Sequence, residues 1–345
     1  MGKNIVIFSD GTGQKGGKNC NTNIYKLFNM IEERTDKQIA FYDPGLGTDW
    51  RKITGNIAGR GFSKNILDCY RFIFQHYKAG DDIYLFGFSR GAATVRSLSG
   101  FIHLFGILPQ SREDLIQEAF KIYQIRNQMR RLRKAVEFID RNHTMWCKIK
   151  FLGVFDTVAA LGIPNKFFSF LFEPFSRSKF HSFELSKSVI YARHALSIDE
   201  ERRLFSPVLW APLLNDPLPD RMKQVWFSGV HTDVGGGYKE DHLSNISLHW
   251  MLREAIDKGL LIYERSPAYK SFKAAELNVN GIMHNERKGF IGKLFRKGIR
   301  TWKEESLGAP TIHSSVLNRK KNNSNQDEPG YAPWIFNYSN RKIET

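Results

Sequence analysis

Gly87-Phe88-Ser89-Arg90-Gly91 sits between the apolar run DDIYLFGF (81–88) and the helical pattern AATVRSLSGFIHLFGIL (92–108). A serine hydroxyl is a weak nucleophile until a base accepts its proton, and that base needs an orienting carboxylate. A strand entering and a helix leaving is the context of a nucleophile elbow, whose sharp turn lifts the serine above the sheet edge. Gly87 and Gly91 then make sense, because a Cβ on either side of so tight a turn would collide. The turn also sets Ser89 at a helix N-terminus, where free N–H groups and the dipole favour a developing oxyanion. The alternative is an ordinary strand–turn–helix junction with a capping serine.

On such a fold the partners follow in the order serine, acid, histidine, each at the C-terminal end of a strand. Asp156 in FLGVFDTVAALG follows the apolar stretch 151–155, and His231 in VWFSGVHTDVGGGY ends a strand expected over 222–230. These two are the candidate acid and base. Asp199 competes as an acid but reads as a surface ion-pair residue, and His194 and His313 compete as bases. His76, His103 and His249 fall within helical patterns. One oxyanion donor is expected from the backbone N–H of Arg90. The second is expected from SDGTG (9–13), through Gly11 or Thr12. Asp10, Asn23 and Asp233 are expected to support the site from behind, with turn chemistry as the alternative for the first two and loop-holding or cation binding for Asp233. There is no HExxH, no histidine cluster and no carboxylate ladder. The expected chemistry calls for no metal and no organic cofactor.

GTGQKG (11–16) is a rival glycine loop that formally matches a dinucleotide fingerprint. That fingerprint requires the helix to begin inside the loop and aim its N-terminus at the pyrophosphate. Here KNCNTN intervenes, and the P-loop spacing fails at Thr12 and Asn19. Nucleotide binding is disfavoured.

The elements needed to hold these residues are legible as alternating patterns. NIVIFSD (4–10), QIAFYD (38–43), DDIYLFGF (81–88), CKIKFLGVFDTV (147–158) and MKQVWFSGV (222–230) read as strands. NTNIYKLFNMIEERT (21–35), SKNILDCYRFIFQHYK (63–78), the stretch 113–140 and ISLHWMLREAIDKGL (246–260) read as helices. The alternation predicts an α/β fold: a mostly parallel central sheet with helices on both faces. Residues 1–265 are expected to form the catalytic domain, with a Phe-rich, lid-like insertion at 163–185. Residues 266–345 are expected to be an irregular, basic extension packed on the core.

The net charge of +16 points to an anionic partner or to simple solubility. From Lys121 to Lys134 there are six basic residues and no acidic ones. No nucleic-acid-binding motif accompanies that run, so a nucleic-acid partner is disfavoured. Two stretches suit an anionic membrane. One is 284–303, with seven Lys or Arg against one Glu and Ile291, Leu294, Phe295 and Trp302 able to share a helical face. The other is the Phe-rich 165–175. Each has a packed alternative. Three scattered cysteines, no signal pattern and no bilayer-length apolar run predict a cytoplasmic protein, with signal-independent export open. The pattern does not specify an oligomeric state.

IVIFSDGTGQ, NTNIYKLF, YDPGLGT, GFSRGAATVRSL, LGVFDTVAALG, HALSIDEERRLFSPVLW and QVWFSGVHTDVGGGY occur in that order. With these motifs the chain resembles the α/β-hydrolase family of type VI secretion phospholipase effectors from about residue 3 to 260. The resemblance implies a Ser–Asp–His triad at Ser89, Asp156 and His231 and ester hydrolysis of the phospholipase A type. A soluble short-chain esterase and a non-catalytic basic binding module are the alternatives.

Overall fold

The computed structural model describes residues 2–11, 17, 20–45, 55–158, 185–212, 218, 220–288, 292, 295–322 and 330–345, with only the backbone of 55–60 and 320–322. Eight parallel strands form one sheet. They are β1 (Asn4–Ser9), β2 (Gln38–Asp43), β3 (Asp82–Phe88), β4 (Ile149–Phe155), β5 (Val189–Ser197), β6 (Met222–Phe227), β7 (Thr311–His313) and β8 (Lys342–Glu344), in the order β2-β1-β3-β4-β5-β6-β7-β8. The chain steps from β1 to β2 on one side and returns across β1 to lay down β3. The switch in direction therefore falls between the C-terminal ends of β1 and β3. In open parallel sheets that crevice is where ligands bind.

Both faces of the sheet are buried, so its central strands read as apolar runs rather than as alternations. Ile5, Ile7, Ile83 and Leu85 point to one layer, where they meet the helices α2 (Gly55–His76), α3 (Arg90–Phe105), α4 (Asp114–Tyr123) and α5 (Gln128–Asn142). Val6, Phe8, Tyr84 and Phe86 point to the other layer, against α1 (Asn23–Phe28) and the helices His242–Asp257 and Pro267–Ala274. The expected α/β-hydrolase-like architecture is the one observed.

Local differences from the sequence reading have physical causes. The helical stretch 113–140 is two helices, because the Asn127 side chain accepts the Arg130 N–H and starts α5 afresh. The helix expected over 21–35 ends at Phe28. The expectation of an irregular 266–345 gives way: this stretch supplies β7 and β8 to the same sheet. It also closes a third apolar cluster, in which Trp302, Ile312 and Ile335 pack on Trp226 of β6. The described residues of 284–303 do not form the expected basic amphipathic helix, and Trp302 and Arg300 are buried. The insertion 163–185, except Leu185, and the stretch 165–175 lie outside the described residues. No helix among the described residues is long and apolar enough to cross a membrane.

Candidate active site

Ser89 stands between the last residue of β3 and the first of α3, at φ 56° and ψ −117°. A non-glycine residue in this region carries roughly 1–3 kcal/mol of strain and persists only where its surroundings fix it. The surroundings are backbone. The Ser89 N–H donates to the Phe155 carbonyl at 3.1 Å. A Cβ on Gly91 would stand 2.0 Å from the Ser9 carbonyl oxygen, and one on Gly87 would stand 2.6 Å from the Gly91 carbonyl oxygen. The two glycines let β1, β3 and α3 approach closely enough to hold the turn.

His231 opens a short helix (His231–Gly235) four residues beyond the end of β6, which stops at Phe227 rather than at Val230. Its Nε2 lies 2.9 Å from Ser89 Oγ and its Nδ1 2.6 Å from Asp156 Oδ2. With Nδ1–H donating to the carboxylate, Nε2 is left to accept from the serine hydroxyl. The ring is wedged between Phe88 and Phe205, with centroids 4.7 and 5.2 Å away. Gly235 packs against Phe88 so closely that a Cβ there would fall 2.0 Å from its ring, which fixes the short helix against the elbow.

Asp156 follows β4 at φ 37°, wholly buried. Its Oδ1 accepts from the Ser197 N–H at 3.0 Å. A residue that the sequence reading missed then grips it from the other side. Arg300 Nη1 donates to Oδ1 at 2.6 Å and Nη2 to Oδ2 at 2.8 Å, a two-pronged pair. The same guanidinium donates to the Ser197 and Phe205 carbonyls. Burial alone would push the Asp156 pKa up. The Arg300 charge and hydrogen bonds, with those from His231, more than reverse this and hold it far below the usual carboxylate range. Arg300 lies far along the chain in an apparently solvated basic stretch, and no spacing rule links it to Asp156.

The expected supporting residues are placed as follows. Asp10 is buried behind the turn after β1, accepting from Thr22 Oγ1 (2.6 Å), Tyr42 Oη (2.7 Å) and the Gly11 N–H (2.7 Å). Burial raises its pKa to about 6, against the lowering effect of those three donors. Gly11 lies beside Ser89, since a Cβ on it would be 3.6 Å from the serine Cβ. Its N–H is already held by Asp10, which corrects the expectation that Gly11 offers a free oxyanion donor. Thr12 lies outside the described residues. Arg90 provides the first N–H of α3, which has no acceptor within the helix. Asn23 donates from Nδ2 to the Val234 and Ser244 carbonyls and ties down the helix that carries His231. Asp233 accepts from the Val230 N–H and from His284, whose Nδ1 is 2.7 Å away, so it anchors the turn below His231.

The competitors are accounted for by structure. His194 is wholly buried, and burial drives its pKa down to about 3 while its Nε2 accepts from the Thr157 N–H. His313 lies at the end of β7, with its pKa lowered by burial to about 4. Asp199 accepts from the Gly229 N–H and Tyr331 Oη rather than forming a surface ion pair, and burial raises its pKa to about 6. Among the described residues no group of three or more His, Cys, Asp or Glu is placed to hold a metal ion. A cavity of about 460 Å³ adjoins the histidine side of the site, walled by Glu200, Val230, Arg287, Lys288 and Arg300 among others.

The parallel sheet, the strained serine turn and the hydrogen-bonded Ser89–His231–Asp156 line together define an α/β-hydrolase-like domain. The description "T6SS, Phospholipase effector Tle1-like, catalytic domain" matches residues 3–254, and the chain belongs to this family. The uncharacterized protein YEL023C of Saccharomyces cerevisiae is 30% identical over 239 residues, which cover 61% of this chain and 33% of that protein. The chain thus spans about a third of the length of the curated relative it matches. An uncharacterized protein from Pseudomonas aeruginosa is similar in structure at 16% identity and a TM-score of 0.49, over 85% of this chain and 50% of that one. The Tle1 effector bound to the VgrG spike of the type 6 secretion system is similar at 19% identity and a TM-score of 0.37, over 69% of this chain and 51% of that one. Arg300 and the last two strands lie beyond the matched family region.

Proposed function

We propose that the chain is a serine hydrolase of carboxylic esters, with phospholipid acyl esters as its substrate class. The observation that carries this reading is the continuous line from the strained Ser89 through His231 to Asp156, inside the catalytic domain of a phospholipase effector family. Ser89 Oγ attacks the ester carbonyl while His231 Nε2 takes its proton. The resulting oxyanion meets the Arg90 N–H at the start of α3, with Thr12 as the second donor. His231 then returns the proton to the leaving alcohol. In the second half it activates the water that releases the fatty acid. Asp156 holds the imidazole in one tautomer and stabilises its charged form.

The test is fatty-acid release from anionic phospholipid vesicles, with short-chain ester hydrolysis alongside, by the wild type and by Ser89→Ala. Turnover of lipid that falls by a factor of about 10³ or more in the variant is expected. Turnover of short esters alone would remove the lipid from the proposal. Lipid release equal in both proteins would overturn the assignment of Ser89.

A further inference from the structure

Helix α5 packs Ala135 and Phe138 inward on the core and leaves three aliphatic side chains in solvent: Met129 at 75% exposure, Leu132 at 42% and Val136 at 56%. Their spacing of three and four residues aligns them as one stripe along the outer face. A lone exposed apolar residue needs no explanation, but an aligned stripe on a helix that already has a packed face marks a contact surface. Basic residues border it. Arg130, Arg133 and Lys134 are exposed on the same helix and Arg126 lies just before it, against the two exposed acids Glu137 and Asp140. Among the described residues Arg130 and Arg133 have no ion-pair partner, and the Lys134–Glu137 pair is loose at 3.9 Å.

We propose that this face of α5 docks on an anionic phospholipid bilayer. The aliphatic stripe enters the boundary between head groups and acyl chains while the flanking guanidinium groups meet lipid phosphates. A nucleic-acid partner would use the same arginines but would leave Met129, Leu132 and Val136 exposed to water. The direction of the helix is suited to the task. β4 starts at the edge of the sheet opposite Ser89, shortly after α5 ends, so the Met129 end of α5 lies toward the edge that carries the serine. The role given to this surface rests on the lipid-hydrolase reading, but the binding itself is measurable without turnover.

Co-sedimentation of Ser89→Ala protein with phosphatidylglycerol-containing vesicles and with pure phosphatidylcholine vesicles tests the proposal. In that background, Met129→Ser/Leu132→Ser/Val136→Ser is expected to weaken binding to the anionic vesicles at least tenfold. Arg130→Gln/Arg133→Gln is expected to weaken it by about fivefold per charge, an effect that added salt reproduces in the parent. All five positions point outward, so an unchanged thermal midpoint shows that each variant is folded. With Ser89 intact, short-ester hydrolysis by both variants should equal that of the wild type. Vesicle binding that ignores both sets of substitutions overturns the proposal, whatever the enzyme hydrolyses. Arginine-dependent binding to duplex DNA without vesicle binding overturns it in favour of a nucleic-acid surface. Absence of ester turnover in the wild type would count against the hydrolase reading and leave the vesicle result to stand by itself.

Discussion

Ser89 and Asp156 both leave the end of a parallel strand with a positive φ, 56° and 37°, yet the two positions are held by opposite means. Around Ser89 the work is steric: Gly87 and Gly91 let three backbone segments meet, and the turn is fixed by what would collide if it relaxed. Around Asp156 it is electrostatic: a buried carboxylate is shared by His231, Ser197 and Arg300. The steric support is local, supplied within a few residues of the serine and by the neighbouring strand. The electrostatic support comes from 144 residues away, through a segment beyond the matched family region. The Ser89 turn is therefore a property of the sheet, whereas the setting of Asp156 depends on the C-terminal segment being in place.

The largest effect should come from the electrostatic side. Arg300→Met leaves Asp156 buried without its guanidinium partner, and breaking a buried pair in this way costs about 3–5 kcal/mol. Urea unfolding should show that loss, together with a fall in ester turnover. Asp156→Asn added to Arg300→Met should recover much of the stability and none of the turnover. A double variant as unstable as the single one would mean that Arg300 acts by packing rather than by charge. The pH dependence has a definite sign. The folded Asp156 carboxyl titrates below its unfolded value of 3.8, so its share of stability is present above that value and is lost as pH falls toward the folded one. Arg300→Met leaves burial to push the folded carboxyl back up, so the share of stability that Asp156 loses on acidification should shrink.

The steric side predicts a smaller stability cost with a larger share falling on geometry. Gly91→Ala places a Cβ 2.0 Å from the Ser9 carbonyl, so β1 and α3 must part. Overpacking of this kind costs about 1–3 kcal/mol. Turnover of a short ester should fall well beyond what the stability loss explains, because Ser89 shifts from His231. An active Gly91→Ala enzyme would show that the elbow is not held by this contact.

The same division decides what could be read in advance. Ser89, Asp156 and His231 were legible because strand ends and chain order are local signals, and each lies within a few residues of a strand end. The C-terminal edge of the sheet was harder. β7 and β8 are three residues each, too short for a periodic pattern, and form by pairing, β7 on the edge of β6 and β8 on that of β7. β5 reads VIYARHALS, where Arg193 and His194 hide a strand. Arg193 is neutralised inside by Glu254 and Asp220, and His194 is buried against Trp210. Arg300 left no trace at all, since an arginine among lysines looks solvated until its partner is known. Local sterics are written in neighbouring residues, and long-range charge pairing is not.

Asp10 lies on the steric side of the comparison yet carries an electrostatic load, and it gives the smallest expected effect. It supports the glycine turn beside Ser89 while its own pKa is raised to about 6. The unfolded carboxyl ionises from its ordinary 3.8 and the folded one only near 6, so the unfolded state holds fewer protons across that window. Stability from this group is thus full below about pH 4 and declines as pH rises toward 6. Asp10→Asn removes the charge and with it that decline. The difference in unfolding free energy between variant and wild type should move in favour of Asn between pH 4 and 6 and stay level above it. Equal slopes in the two proteins would assign the titration to another group, with Asp199, also raised to about 6, the next to replace. A shift that appears together with lost ester turnover would show that the Asp10 carboxylate positions the turn beside Ser89 as well as bearing the charge.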